Sequence, residues 1–405
     1  MAAKKKRTAI RTRKEARPLI MKSVEFSGWS PLGSTVQLPI SPRRTVLVGK
    51  NGAGKSLLLE GLYEAHLRIM LTGYRYGPTN FKCSFVDASE QPLNYRYNLL
   101  SDTTQDPSTE DIEDDGAEFK DDVIWQECCW DKSPSNPIWE LANGKASTRE
   151  GSDFLVSPGT SLIALSGNHD LSIPEESLSL RQFFQHQKLV RAGLLREVQH
   201  RRLILIPDQA DGRISRPGEQ HRIERLAIEL ITWSKKHPDR LAEFIELGRR
   251  LETWHDVKIL RYTPLSEQSA KSGFDSLISV VFDDINIGYL SDGTLRIAAT
   301  LAGLLSASEG GMLLLEEPET GIHPGLLSRL LSILDSYSMN RQLLISTHSH
   351  QVVNWVTPDE LRLVERRDGA THAYPLSKKQ VQQLVPYLNE TGTLGDFVYS
   401  GGTDA

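Results

Sequence analysis

The chain has 405 residues, 39% of them hydrophobic and 24% charged, with a formal net charge of -5. No stretch approaches the roughly 18 apolar residues that a membrane-spanning helix needs, and the start lacks the apolar core of a secretory signal. Composition therefore excludes a membrane protein and predicts a cytoplasmic location. The three cysteines, Cys83, Cys128 and Cys129, have no C-x-x-C spacing, so neither a disulfide framework nor a zinc site is indicated.

Charge is distributed unevenly along the chain. The first 17 residues contain eight basic groups and one acid, which gives this arm +7 and the remainder -12. Such an arm can neutralise the phosphates of DNA with a salt-dependent affinity; a disordered, solvated terminus without a partner is an equal alternative. A second run, Asp102 to Asp122, is acidic and is typical of an exposed loop.

Short strands are predicted in the first part of the chain. Lys22 to Phe26 and Thr35 to Leu38 have strand-like composition, and the turn residues between them indicate a small antiparallel sheet. Asn94 to Asn98 and Val123 to Cys128 are further predicted strands, separated by polar loops.

A complete G-x-x-x-x-G-K-[ST] phosphate loop runs from Gly49 to Ser56. It follows the β-branched run Thr45 to Val48 and precedes a helical run, which is the context the motif requires. Glycines let backbone N–H groups surround a phosphate, and the helix N-terminus adds its positive dipole end. We expect Lys55 to reach the β- and γ-phosphates of ATP and Ser56 to ligate Mg²⁺. The residues predicted to bind the nucleotide are Gly49, Asn51, Gly52, Ala53, Gly54, Lys55, Ser56 and Leu57.

The sequence changes character near Leu178. Leu180 to Gln199 and Arg222 to Trp254 lack strand alternation and have helical spacing, with Pro238 separating two helices in the second range. Their apolar stripes are typical of packed core. The basic residues nearby indicate a solvated helix face, with a nucleic-acid contact as the alternative; they are Arg191, Arg196, His200, Arg201 and Arg202.

Two later stretches carry residues that phosphate chemistry needs. Leu290 to Thr294 opens a helix, and Ser291 and Gly293 at its N-terminus form a second anion site that one subunit's own phosphates do not need. Met312 to Leu315 is an apolar strand that leads into Glu316-Glu317-Pro318-Glu319. This order predicts Glu316 beside the Mg²⁺ held by Ser56, and Glu317 in position to orient or polarise the attacking water.

A third strand ends in small polar residues and a histidine. Gln342 to Ile345 is apolar and is followed by Ser346-Thr347-His348-Ser349. His348 at the carboxyl end of a strand is well placed to contact a γ-phosphate, with a purely structural histidine as the alternative. His350 and His323 are weaker candidates, the second for a subunit contact.

Together these motifs resemble the ABC-type ATPase head of the SMC/RecF group, and most closely the overcoming-lysogenization-defect (OLD) group and its relatives in prokaryotic anti-phage defence. Glu316 to Glu319 followed by Gly321-Ile322-His323-Pro324 is a mark of that branch. The resemblance implies catalytic roles for Lys55, Glu317 and His348, an ABC signature at Ser291 to Thr294 and a Walker B metal ligand at Glu316. It also implies a homodimer or higher homo-oligomer, in which the signature of one subunit closes on the ATP of the other.

Two departures limit the resemblance. The Q-loop glutamine of the family has two candidates, Gln91 and Gln126. OLD nucleases carry a metal-dependent TOPRIM domain after the ATPase, whereas only about fifty residues follow Val356 here, so we expect no nuclease activity in this chain.

The predicted fold is α/β: a P-loop NTPase with an ABC-type ATPase head, an antiparallel β subdomain and a helical insertion. The predicted division of the chain is a basic arm (1–20), the N-terminal half of the head with the β subdomain (21–178), the helical insertion (179–257), the C-terminal half of the head (258–365) and a C-terminal tail (366–405).

The resemblance implies an ATP-hydrolysing sensor, regulatory or scaffold subunit of an anti-phage defence system that controls a separately encoded effector such as a nuclease. A RecF/SMC-like DNA-binding repair or recombination ATPase is the first alternative. A structural scaffold that binds ATP and barely hydrolyses it is the second. The defence assignment depends on family analogy alone.

Overall fold

The computed structural model describes residues 18–71, 76–101, 123–157, 160–166, 173–185, 187–191, 204, 206–207, 222–262, 277–307, 311–339, 341–390 and 392–400. The basic segment 1–17 and the acidic run 102–122 lie outside these residues, as do Arg196, His200, Arg201 and Arg202.

The described chain contains 18 strands and ten α-helices, and six consecutive strands follow the first helix. The strands are β1 (Leu19–Ser27), β2 (Val36–Pro39), β3 (Arg44–Val48), β4 (Asn80–Asp87), β5 (Pro92–Ser101), β6 (Val123–Trp130), β7 (Trp139–Ala142), β8 (Lys145–Thr148), β9 (Asp153–Leu155), β10 (Lys188–Val190), β11 (Ile206–Pro207), β12 (Val257–Tyr262), β13 (Leu277–Phe282), β14 (Ile285–Asn286), β15 (Met312–Glu316), β16 (Gln342–Ser346), β17 (Leu361–Arg367) and β18 (Ala370–Tyr374). The α-helices are α1 (Lys55–Met70), α2 (Leu162–Leu165), α3 (Glu175–Gln185), α4 (Arg222–Lys236), α5 (Pro238–Arg250), α6 (Asp292–Ser306), α7 (Pro324–Tyr337), α8 (His350–Asn354), α9 (Lys378–Glu390) and α10 (Leu394–Tyr399).

A six-stranded sheet with the order β10-β15-β16-β3-β17-β18 forms the centre of the fold. The first five strands are parallel, and β18 returns antiparallel to β17. Neighbouring residues of β3 face opposite cores: Val46 and Val48 pack with the later helices, whereas Leu47 packs with α1 and the N-terminal strands. Both faces of this sheet are therefore covered, which explains why its strands read as continuous apolar runs.

The second sheet is antiparallel and has eight strands in the order β2-β1-β4-β5-β6-β7-β8-β9. The strands predicted from composition all lie in it, so the expected antiparallel β subdomain is confirmed. Aromatic rings fill the core that it shares with α3; Phe85 contacts Phe183 with ring centroids 4.9 Å apart. With a parallel central sheet behind the phosphate loop, the predicted α/β fold class is confirmed.

One predicted helix is wrong at residues 188–190, and its residues 192–199 lie outside the described chain. Leu180 to Gln199 was expected to be helical, but α3 ends at Gln185 and Lys188–Val190 forms β10. β10 pairs in parallel with β15, which places it at the edge of the central sheet. A strand of three residues has no periodicity of its own, and pairing with a neighbour is what makes it a strand.

The helical pair α4 and α5 agrees with the sequence prediction. Pro238 occupies the first turn of α5, where its missing N–H costs nothing. The predicted stripe residues Leu230, Trp233 and Phe244 are buried, and Trp254 stacks on Phe244 with centroids 5.0 Å apart. These stripes are core, as expected.

Residues 366–405, predicted as a C-terminal tail, contain a strand and two helices in their described part. Residues 370–374 are β18, and α9 and α10 follow it. Leu394, Phe397 and Val398 of α10 are buried in the main core. None of the helices in the described part of the chain has the length and apolarity needed to cross a bilayer. All three cysteines are free and buried.

A buried carboxylate joins the antiparallel sheet to α2. Glu127 of β6 accepts hydrogen bonds from the Tyr95 hydroxyl (2.7 Å) and from the backbone N–H of Leu162 (2.7 Å). Burial raises the pKa of Glu127 from 4.5 to about 7, although these donors oppose the shift. The folded protein therefore favours the protonated carboxyl.

We predict a pH-dependent stability that Glu127 causes. Between pH 4.5 and pH 7 the folded state binds more protons at Glu127 than the unfolded state, so stability falls as pH rises through this window. Glu127→Gln, which keeps an acceptor for Leu162 and a donor for Tyr95, should remove this loss, on the order of 3 kcal/mol at most. Urea denaturation of both proteins across this pH range measures the difference.

The matched control is Glu140→Gln, because Glu140 is exposed on the adjacent strand β7. Its stability curve should follow that of the wild type. Parallel pH curves for wild type and Glu127→Gln would show that the prediction is wrong.

Candidate functional site

The phosphate loop connects β3 to α1, and close neighbours explain two of its glycines. A Cβ on Gly49 would lie 2.0 Å from the carbonyl oxygen of Val364 in β17. Gly54, the N-cap of α1, has φ +104, and a Cβ there would lie 2.4 Å from Oγ1 of Thr371 in β18. The β17–β18 hairpin therefore supports the loop from below, and only glycine fits at these positions.

The Lys55 side chain contacts the backbone of the phosphate loop. Its Nζ donates hydrogen bonds to the carbonyl oxygens of Gly49 (2.9 Å) and Lys50 (3.2 Å). Burial lowers the pKa of Lys55, and the carboxylates of Glu317 and Glu319 oppose that shift. The predicted phosphate-binding cation and the predicted catalytic glutamate thus belong to one electrostatic site.

Glu317 follows β15 and has an unusual backbone conformation. Its φ is +44, in the left-handed region that costs a non-glycine residue about 1 kcal/mol or more. Two contacts hold it: its N–H donates to the carbonyl oxygen of Ser346 (2.9 Å), and Nη1 of the buried Arg296 donates to its own carbonyl oxygen (3.2 Å). These contacts fix the backbone at the point where the chain leaves β15.

His348 meets Glu317 at the end of β16. Nε2 of His348 lies 3.8 Å from Oε1 of Glu317. The pKa of His348 is lowered by burial first and by the Lys55 charge second, while Glu317 and Glu319 raise it. Its imidazole is therefore neutral near pH 7 and can donate or accept one hydrogen bond.

Glu319 fixes the loop that carries His348. Its Oε1 accepts hydrogen bonds from the Thr347 hydroxyl (2.6 Å) and from the His348 backbone N–H (2.8 Å). The sequence prediction gave Glu319 no role. Its contacts span 28 and 29 residues, so only the folded chain reveals them.

Arg296 was also missed. It lies one turn into α6, within the otherwise apolar stretch Leu295 to Ala299, and its side chain is buried. Burial lowers its pKa, and the carboxylates of Glu317, Glu319 and Glu316 oppose the change. A lone charge in an apolar helix stretch was the available signal.

The predicted metal ligands offer oxygen donors of the type that Mg²⁺ prefers. Ser56 is exposed at the start of α1, and Glu316 is the last residue of β15, paired with Ser346 of β16. The described residues contain no cluster of three or more His, Cys, Asp or Glu arranged to hold a metal. Mg²⁺ bound with a nucleotide needs only one or two protein ligands besides phosphate oxygens, so a hydroxyl and a carboxylate fit it.

Ser291 and Gly293 lie at the N-terminus of α6. The Ser291 Oγ accepts a hydrogen bond from the Thr294 N–H (3.2 Å), which caps the helix, and Ser291 is exposed. A Cβ on Gly293 would lie 2.5 Å from the carbonyl oxygen of Gly321, so this residue must be small. The signature segment therefore presents an exposed helix N-terminus next to the loop that follows Glu319.

The other predicted residues occupy varied positions. Asn51 and Gly52 are exposed, Ala53 is buried and Leu57 is partly buried. His323 caps α7 by accepting from the Gly325 N–H. The Q-loop candidates lie in the antiparallel sheet, Gln91 in the β4–β5 turn and Gln126 in β6, and both stay predictions. The strand beside β15 is β10, and residues 192–203 after it lie outside the described chain.

A family model described as "AAA domain, putative AbiEii toxin, Type IV TA system" matches residues 227–354, less than one third of the chain. The match includes the signature segment, the strand with Glu316 and the loop with His348, and it leaves out the phosphate loop.

Similar solved structures include an SmcHead bound to the C-winged helix domain of ScpA, with 11% identity, a TM-score of 0.44 and coverage of 90% of this chain and 99% of that chain. The SMC head domain from Thermotoga maritima has 13% identity and a TM-score of 0.39, with 88% and 99% covered. A nucleotide-free ATP-binding cassette from an ABC transporter has 12% identity and a TM-score of 0.37, with 91% and 95% covered. No curated protein matches the sequence.

We predict that Gly54→Ala damages both stability and nucleotide binding. The new methyl group would collide with Thr371 and would also force a left-handed φ on alanine, with a total loss of about 2 kcal/mol or more. Thermal unfolding and equilibrium binding of a fluorescent ATP analogue measure the two effects.

Gly151→Ala is the control, because Gly151 has φ +84 but nothing within 4 Å of a Cβ. It should lose only the backbone contribution, about 1 kcal/mol, and keep nucleotide binding. Equal losses of stability in the two variants would contradict a supporting role for the β17–β18 hairpin.

Proposed function

We propose that this protein binds ATP with Mg²⁺ and hydrolyses it. The observation that carries the proposal is the convergence of Lys55, Glu317 and His348 at one edge of the central sheet, with His348 3.8 Å from Glu317. In phosphoryl transfer to water, a cation at a phosphate loop can neutralise phosphate charge, a carboxylate can orient the attacking water, and a neutral imidazole can donate a hydrogen bond to a phosphate oxygen.

Each residue has a distinct task in this proposal. Lys55 leaves the two loop carbonyls that it contacts and binds the β- and γ-phosphates. Glu317 orients the attacking water and accepts its proton, and His348 donates a hydrogen bond to the γ-phosphate. When Mg²⁺ is bound, Ser56 and Glu316 hold it, and the ion neutralises charge on the phosphates.

We further propose that the active unit is a head-to-head homodimer or a higher oligomer built from it. The exposed N-terminus of α6, with Ser291 and Gly293, is a ready anion site. The anchor of that helix, Arg296, reaches the backbone of Glu317 in its own chain. Binding of a partner's ATP at Ser291 would therefore act on a helix that contacts the catalytic glutamate.

For the biological role we propose a sensor or regulatory subunit of an anti-phage defence system that controls a separately encoded effector. Two observations support this role. The motif order from Glu316 to Pro324 is OLD-like, and the matched family model is described as a putative toxin of a type IV TA system. The SmcHead structure contains a bound partner protein, ScpA, which illustrates one way for a head to engage a partner.

The test of hydrolysis is Glu317→Gln. The variant should bind ATP normally and lose at least 99% of turnover, because the amide orients water but does not accept its proton. ATPase rate, nucleotide affinity and solution mass, each with and without Mg²⁺, measure this. Glu365→Gln, on β17 with its carboxylate paired to Arg367, is the control and should turn over ATP at the wild-type rate.

A normal rate for Glu317→Gln would show that the catalytic assignment is wrong. The ATPase rate is also measured with duplex DNA, for the full chain and for a variant that lacks residues 1–17. Stimulation by DNA that is lost in the shortened variant would favour the DNA-dependent alternative. Slow hydrolysis in an assembly of constant mass would favour the scaffold alternative.

The test of the dimer is complementation between Ser291→Arg and Lys55→Ala. Each variant alone should be inactive, because every composite site contains one defect. Mixing them should restore about a quarter of the wild-type rate, since half of the random dimers contain one intact site of two. A mixture with no activity despite subunit exchange, shown by native mass spectrometry, would contradict sites shared between subunits.

A further inference from the structure

The C-terminal helix α10 packs along α8, the helix that begins two residues after His348. The His350 ring lies 4.6 Å from the Tyr399 ring, centroid to centroid, and its Nδ1 is 3.3 Å from Oδ1 of Asp396. The backbone N–H of Gly395 donates to Oδ1 of Asn354 at 2.6 Å. Three contacts thus join α10 to α8, the helix that follows the loop of the proposed γ-phosphate sensor.

This docking leaves little freedom. A Cβ on Gly395 would lie 3.0 Å from the backbone of His350, so the two helices approach as closely as glycine permits. A capping box stabilises the start of α10, where the Thr393 hydroxyl donates to Oδ2 of Asp396 at 2.7 Å. α10 is therefore a firmly placed element of the core.

Two buried polar atoms belong to this part of the site, one in Tyr399 and the other in Glu319. Oη of Tyr399 is buried and has no hydrogen-bond partner among the described residues. Oε2 of Glu319 is also buried and has no hydrogen-bond partner among the described residues. The other oxygen, Oε1, accepts hydrogen bonds from the Thr347 hydroxyl and the His348 backbone N–H. Burial raises the pKa of Tyr399, and the charge of Glu319 raises it further, so the two groups are within electrostatic reach.

Leaving both groups unsatisfied would be costly. A buried donor or acceptor without a partner costs about 1–3 kcal/mol, and more when it is charged. A phenol is a donor and a carboxylate oxygen an acceptor, so one bound water between them can satisfy both groups. A carboxylate held at both oxygens has a single orientation, and so has the loop bonded to it.

We propose that Tyr399 is a positioning residue for His348: its ring packs on His350, and its hydroxyl hydrogen-bonds through one water to Oε2 of Glu319. This inference rests on the proposed ATPase function, in which His348 contacts the γ-phosphate. In this proposal the C-terminal helix α10 helps to position an active-site residue. A partner that binds α10 would therefore be able to change the rate of ATP hydrolysis.

The first experiment is Tyr399→Phe, which removes only the hydroxyl. We expect kcat to fall roughly tenfold with KM for ATP and the melting temperature unchanged, because a looser His348 affects the transition state more than ATP binding. Tyr387→Phe is the control; its ring packs on Phe397 at 5.7 Å, and its kcat should stay at the wild-type value. An unchanged kcat in Tyr399→Phe overturns the proposal.

A double-mutant cycle identifies the route. In a Glu319→Ala background, Tyr399→Phe should have no further effect on kcat, because the partner of the hydroxyl is already absent. Independent, multiplicative losses would overturn the assignment of Glu319 as the intermediary. A merely structural role for Tyr399 would instead lower the melting temperature in both backgrounds.

Hydrogen exchange makes the test independent of turnover. In nucleotide-free protein, Tyr399→Phe should raise amide exchange in residues 347–353 at least threefold, as expected for a loop that has lost one fixed contact, and leave β3 unchanged. Unaltered exchange in 347–353 overturns the positioning role. If the wild type hydrolyses no ATP, the proposed function fails, and the exchange result still decides whether Tyr399 positions this loop.

Discussion

The parallel pairing of β15, β16 and β3 is the constraint on which the site depends. In parallel strands the carboxyl ends meet at one edge, so three loops that are far apart in sequence leave the sheet side by side. The phosphate loop follows β3, Glu317 follows β15 and His348 follows β16. A shift of β15 by one residue against β16 would turn Glu316 and the leucines before it to the opposite face.

Attraction between opposite charges stabilises this edge of the central sheet. Lys55 and the buried Arg296 have lowered pKa values because of burial, and the neighbouring glutamates compensate part of that cost. Arg296 also stabilises the left-handed backbone of Glu317 through its carbonyl oxygen. The backbone of Glu317 is thus held by a residue of the helix that begins at Asp292, and this contact links the two halves of the proposed dimer site.

The last fifth of the described chain supports the site from two directions. The β17–β18 hairpin lies beneath the phosphate loop, where Val364 and Thr371 approach the two glycines. Helix α10 lies against α8 and the His348 loop. Both supports come from residues after the final motif, so a chain ending at the last recognisable motif would keep every predicted catalytic residue and lose what holds them.

The sequence alone determined the local elements of the site. The glycines of the phosphate loop, the apolar strands before Gly49 and Glu317, and the capped helix at Ser291 are properties of short stretches, since backbone preference and burial period are encoded within a few residues. Tertiary structure alone decided the strand at Lys188–Val190, which exists through pairing with β15. It also decided the roles of Arg296, Glu319 and Tyr399. The partners of a charge or a phenol are set by packing between segments 20 to 80 residues apart, and no local pattern records that distance.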